Sequence, residues 1–167
     1  MRTLQIEHLR CPLHRYTFSV KPIRLWVENV CEGRVLNLFA GKTLLGIDEV
    51  RNDLNPEMPA DHHEDALGMV RGWNGPKFNT ILLDPPYAYR KSMELYKGMI
   101  CSPFRKLKDA IPAILLPGGL VITFGYHSLV MGKCRHFAME RLAIFSHGGA
   151  IHDTMASVER YNPPVPP

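Results

Sequence analysis

Four consecutive residues carry the clearest chemistry in the chain: Asp84-Pro85-Pro86-Tyr87. They follow Phe78-Asn79-Thr80-Ile81-Leu82-Leu83, a β-rich run, so the tetrapeptide is expected at a strand end. An amine on an aromatic ring is a poor nucleophile, because its lone pair is delocalised into the ring. The Asp84 carboxylate and the Pro85 carbonyl can each accept one N–H of such an amine. The nitrogen then moves toward a tetrahedral shape and its lone pair is freed. Two prolines, Pro85 and Pro86, fix the backbone so that this carbonyl points one way. Tyr87 offers a flat face on which an extruded base can stack. From average composition the tetrapeptide arises by chance in roughly one chain in a thousand of this length. The bland alternative is a strand that ends in a Pro-rich turn with a surface tyrosine.

Three further places point to a nucleotide-like ligand. In Val35-Leu36-Asn37-Leu38-Phe39-Ala40-Gly41 a short apolar run enters a glycine turn. Gly41 would let backbone approach a ligand closely, and Phe39 could pack on it. Asp53 precedes Asn55-Pro56 and ends the next expected strand; an acid there can accept ribose hydroxyls. Asp65, before Ala66-Leu67, could meet an adenine amine or simply cap the following helix. Tyr89, Arg90 and Lys91, just past the tetrapeptide, suit stacking plus phosphate contact. Arg105, Lys106 and Lys108 could serve the same end, although a solvated helix face is the plainer reading. Gly125-Tyr126-His127-Ser128 falls at the same sheet edge. Cys11-Pro12-Leu13-His14 has ligand-like spacing but no matching second pair, so no metal site is expected.

The elements that must position these residues follow from periodicity. Ile23, Trp26, Val27 and Val30 lie at helical spacing after Pro22, and Gly33 stops that helix. Strands are expected at 35–39, 49–52, 78–83, 119–124, 141–146 and 154–160, with a short one at 61–64. Helices are expected at 66–72, near 91–100, at 103–115 and at 128–139. Strands alternating with helices predict a mostly parallel sheet covered on both faces, closed by an antiparallel hairpin. In such sheets ligands bind beyond the carboxyl ends of the strands, where Phe39 to Gly41, Asp53 and Asp84 to Tyr87 all fall.

Composition bounds the rest. The 167 residues are 46% hydrophobic and 22% charged, an ordinary globular balance. One domain is expected over 1–161, with a Pro-rich, disordered tail at 162–167. No apolar run reaches the length of a membrane span, the start lacks the apolar centre of a signal peptide, and the four cysteines form no CxxC. A cytoplasmic setting is expected. The net charge of +4 permits a polyanionic partner.

Taken together, the motifs resemble the amino-methyltransferases, especially adenine-N6 and cytosine-N4 nucleic-acid methyltransferases with the Asp-Pro-Pro-Tyr motif. The resemblance covers roughly residues 21–160. It implies a Rossmann-like seven-stranded sheet and S-adenosyl-L-methionine as cofactor. It places the target amine at Asp84 to Tyr87. It assigns the cofactor to Lys21 and Pro22, to Asn37, Phe39, Ala40 and Gly41, to Asp53 at the ribose, to Asp65 at the adenine, and to Asp84. The implied activity is methyl transfer to an exocyclic amine of a nucleic-acid base, with DNA adenine N6 ahead of cytosine N4 and RNA bases.

Three departures stand out: Asn37 where the family has an acid, Lys42-Thr43 where a second glycine is usual, and only eleven residues between Gly41 and Asp53. The usual first crossover helix must therefore be short or absent. No separate target-recognition domain is expected, so sequence specificity is expected to come from loops, a homodimer or a partner chain, or to be low. A catalytically silent fold that binds nucleic acid or a partner is the alternative. A dehydrogenase is disfavoured by the lack of GxGxxG.

Overall fold

The strands at the centre of the sheet are near-continuous apolar runs, whereas the helices carry apolar residues at every third or fourth position. In the computed structural model, described over residues 3–85, 104–128, 130–149 and 151–164, the elements run as follows. They are β1 (Gln5–Arg10), α1 (Lys21–Val30), β2 (Val35–Asn37), β3 (Glu49–Arg51), α2 (Ala66–Gly72), β4 (Phe78–Leu83), α3 (Phe104–Ala110), β5 (Leu115–Gly125), β6 (Phe137–Ser146) and β7 (Thr154–Tyr161). The strands form one sheet in the order β1-β6-β7-β5-β4-β2-β3. Only β7 runs antiparallel to its neighbours. The carboxyl ends of the other six strands therefore share one edge of the sheet.

Each strand sends alternate side chains to opposite faces. Leu82, Leu120 and Ile122 meet Ile23, Val27 and Val30 of α1 on one face. Leu36, Ile81 and Val121 meet Met69 and Val70 of α2 and Leu107 of α3 on the other. Burying each such side chain is worth about 1.5–3 kcal/mol. Pro22 sits in the first turn of α1, where no amide donor is needed. The helix stops before Gly33, whose φ is +53° and whose missing side chain leaves room for Asn79: a Cβ there would lie 2.4 Å from the Asn79 Oδ1 atom.

The structure departs from the sequence reading at several points. Residues 61–64 form no strand; a single parallel bridge joins Asn52 to His62. The place of the seventh strand is taken by β1, which pairs with β6 at the far edge and is tied to α1 by the Trp26 indole N–H donating to Glu7. The helix expected at 128–139 is absent. Gly132 and His136 have φ of +74° and +65°, only Lys133–Arg135 make a 3-10 turn, and β6 begins at Phe137. The buried Glu159 carboxylate accepts the backbone N–H groups of Val130, Met131 and Gly132, which holds that stretch out of helical form. The helix of 103–115 shortens to α3 and a 3-10 turn, and β5 starts early at Leu115. The helix expected near 91–100 lies outside the described residues. Of the tail, 165–167 also lie outside them, and the Asn162 N–H is bonded to the His136 carbonyl. Among the described residues no helix is long and apolar enough to cross a membrane.

Candidate active site

Register brings the predicted residues side by side. Asn37 pairs with Leu82 of β4 on one side and Arg51 of β3 on the other. The Leu38 N–H reaches the Leu82 carbonyl, and the Ala40 N–H reaches the Asn52 carbonyl at 3.0 Å. Phe39 and Ala40 thus lie between Asp84, one residue past β4, and Asp53, two residues past β3. Leu83 pairs with Thr123, so Pro85 stands beside the end of β5, where Tyr126 is exposed.

The loop after β2 is held by buried charge. No helix connects β2 to β3, as the short spacing required. Arg51 takes its place as an organiser. Its guanidinium donates to the carbonyls of Ala40, Gly41 and Thr43 on the loop and to that of Pro59. Its counter-ion is Glu49, and both side chains are only 5% exposed. Glu49 also accepts the Asn37 side-chain amide and the Leu45 N–H, both at 3.0 Å. The acid missing at Asn37 is thus supplied from the neighbouring strand. The Asn37 Oδ1 atom is buried and has no hydrogen-bond partner among the described residues.

Asp53 accepts the Gly41 N–H at 2.8 Å through one oxygen and the Asn55 N–H at 2.9 Å through the other. Each oxygen keeps a second lone pair. Gly41 has a φ of +60°, a conformation natural to glycine, and a Cβ there would lie 3.8 Å from the Tyr16 ring. Asp65 caps α2, accepting the Gly68 N–H at 3.3 Å. It is placed by Asn52, whose side chain bonds the Leu38 carbonyl and both backbone groups of Glu64. Lys21 is exposed at the start of α1.

Asp84 is half-buried. Burial raises its carboxyl to about 7, and a hydrogen bond from the Thr17 side chain opposes that rise. Thr17 belongs to a 3-10 turn, Thr17–Ser19, that the sequence reading passed over. Its neighbours bind the same site. Phe18 packs edge-on against Phe124 of β5, at 5.3 Å between ring centroids. The Ser19 hydroxyl lies 2.7 Å from that of Thr43 in the β2–β3 loop. Tyr16 lies beside Gly41. One turn therefore touches both the loop and Asp84. The signal that could have found it is the run Tyr16-Thr17-Phe18-Ser19, one residue ahead of Lys21-Pro22.

Pro86, Tyr87, Tyr89, Arg90 and Lys91 lie outside the described residues. Lys108 does not face the site freely: its ammonium donates to the Val130 carbonyl. Cys11 and His14 part company, since Cys11 is buried near His147 while the His14 Nδ1 accepts the Tyr16 N–H.

No family model matches the chain, and no curated protein matches it by sequence. Solved structures do match by shape. TrmN from Thermus thermophilus superposes with a TM-score of 0.57 at 18% identity, over 84% of this chain and 47% of TrmN. The chain thus spans about half the length of that protein. The N-methyltransferase NodS from Bradyrhizobium japonicum gives 0.55 at 12% identity, over 84% of this chain and 92% of NodS. The proposed methyltransferase SMU.776, complexed with SAH, gives 0.55 at 14%, over 83% of this chain and 48% of the other. What is shared at these identities is the fold: a Rossmann-like methyltransferase sheet, mostly parallel, with one antiparallel strand.

Proposed function

We propose that this chain is an S-adenosyl-L-methionine-dependent methyltransferase acting on an exocyclic amine of a nucleic-acid base, with DNA adenine N6 the first target to test. The observation that carries the reading is the placement of Asp84. A partly buried carboxyl stands at a strand end, next to a glycine loop, in a fold shared with methyltransferases. The same constellation is what activation of a weakly nucleophilic amine needs.

The residues fit the cofactor. Gly41 lets backbone approach without a side chain in the way. Asp53 is anchored by two N–H groups yet retains acceptor capacity for ribose hydroxyls. Asp65 is fixed at the start of α2. The cofactor supplies an electrophilic methyl on a sulfonium, so no strong general base is required. Asp84 accepts one N–H of the amine, the Pro85 carbonyl accepts the other, and the Thr17 hydroxyl orients the carboxylate. The proton leaves after transfer. Acceptance is best with Asp84 ionised, so its raised pKa makes the rate climb with pH through about 7.

The test is direct. Purified protein is incubated with radiolabelled S-adenosyl-L-methionine and DNA, RNA or protein, and the digested products are identified by mass. An N-methylated base supports the proposal and names the target. No transfer together with no cofactor binding supports the catalytically silent fold instead.

A further inference from the structure

A strap runs along the carboxyl edge of the sheet. It begins at β1, the outermost strand, where the Cys11 N–H bonds the Ser146 carbonyl at 3.0 Å. It ends at Thr17 on Asp84 and Ser19 on Thr43. In between it must pass the ends of β6, β7 and β5. Its start is also held by His147, whose Nδ1 lies 3.1 Å from the Cys11 carbonyl and whose Nε2 lies 2.8 Å from the Thr154 hydroxyl.

The strap's chemistry is one-sided. No Asp or Glu occurs from His8 to Val27, while Arg10, Arg15, Lys21 and Arg24 do. Arg10, His14 and Arg15 are exposed, and no carboxylate among the described residues forms an ion pair with either arginine. Arg15 stacks over the Tyr16 ring at 5.6 Å. Beyond β5, at the same edge, the exposed Tyr126 ring packs against His152 at 5.8 Å. Asp153 is the acid on that facing loop. Exposed cationic groups suit phosphates, and ring faces suit unpaired bases.

We propose that this strap, Arg10 to Tyr16, with Tyr126, is the docking surface for the single-stranded nucleic acid that flanks the target base. It rests on the function proposed above. The strand lies along the sheet edge, and its course leads to Asp84.

The experiment measures anisotropy of a fluorescein-labelled single-stranded DNA of about twelve nucleotides, its RNA counterpart and the matching duplex. The paired substitution Arg10→Ala with Arg15→Ala weakens single-strand binding at least about tenfold and lowers the salt slope by about 1.4, two phosphate contacts at about 0.7 each. Arg10→Lys with Arg15→Lys keeps binding within about threefold. Arg71→Ala with Lys77→Ala removes the same charge from the opposite edge and changes binding less than about twofold. Equal losses from the two alanine pairs, no loss from the first, or duplex bound as tightly as single strand would overturn the docking surface. If the strap pair has no effect while Asp84-dependent transfer persists, only the docking surface fails. If strap-dependent binding persists but the wild type transfers no methyl group, only the functional reading fails.

Discussion

The two halves of the candidate site are held in different ways. On the β2–β3 side, one buried arginine fixes four carbonyls, its glutamate partner fixes two more groups, and Asp53 clamps the Gly41 amide. On the β4–β5 side, Asp84 is bonded by the Thr17 side chain, whose neighbour Phe18 packs edge-on against Phe124. The first half is an over-determined cradle, suited to a ligand that must always sit the same way. The second holds its carboxyl, among the described residues, through the Thr17 side chain. The densely bonded half is where the proposed cofactor would bind, and the sparsely held carboxyl is where the proposed amine would enter.

Breaking the cradle should have the largest effect on stability. Arg51→Met leaves Glu49 buried beside an uncharged side chain and releases the loop carbonyls. The expected cost is about 3–5 kcal/mol, measured by chemical denaturation. A loss below about 1 kcal/mol would show that the loop is held by other means. Asp53→Asn should act more on ligand than on fold. It weakens S-adenosyl-L-methionine binding about tenfold by calorimetry, while stability falls by about 1–2 kcal/mol.

The reacting half should respond with the opposite sign. The Asp84 pKa is about 7 when folded against 3.8 in its ordinary state, so between those values the unfolded chain binds fewer protons than the folded one. Its contribution to stability therefore falls as pH rises from about 4 to about 7. Asp84→Asn removes that slope and raises the melting temperature at pH 8 relative to the wild type. A lower melting temperature at pH 8 would mean the carboxyl is stabilising, contrary to the comparison. The smallest effect is expected of Thr17→Val. Loss of its hydrogen bond moves the Asp84 pKa further up, so the acid limb of the kcat/KM profile shifts to higher pH. An unmoved limb would separate Thr17 from Asp84.

The elements that frame the site were visible in the sequence, because they depend on local chemistry. The run 78–83 announces a buried strand and Asp84 its end. Pro22 and the spacing of Ile23, Trp26, Val27 and Val30 announce α1. Asp65 before Ala66 announces a helix cap. What stayed hidden depends on distant partners. Gln5–Arg10 shows no buried face in the structure and becomes a strand only because β6 offers an edge. Residues 128–139 carry helix formers, yet Glu159, far along the chain, captures their amides. Arg51 carries no signal beyond its place in the strand at 49–52, and gains its role only where the helix-free β2–β3 loop folds over it. Thr17 gains its role only when the strap brings it to Asp84.

The central claim is that Asp84 activates an amine for methyl transfer. The most direct measurement is the single-turnover transfer rate from labelled S-adenosyl-L-methionine to a single-stranded oligonucleotide, in the wild type and in Asp84→Ala, with cofactor affinity measured alongside. The account predicts a rate loss of at least about a thousandfold, on the order of 4 kcal/mol, with affinity unchanged within a few-fold. Equal rates in the two proteins would contradict it.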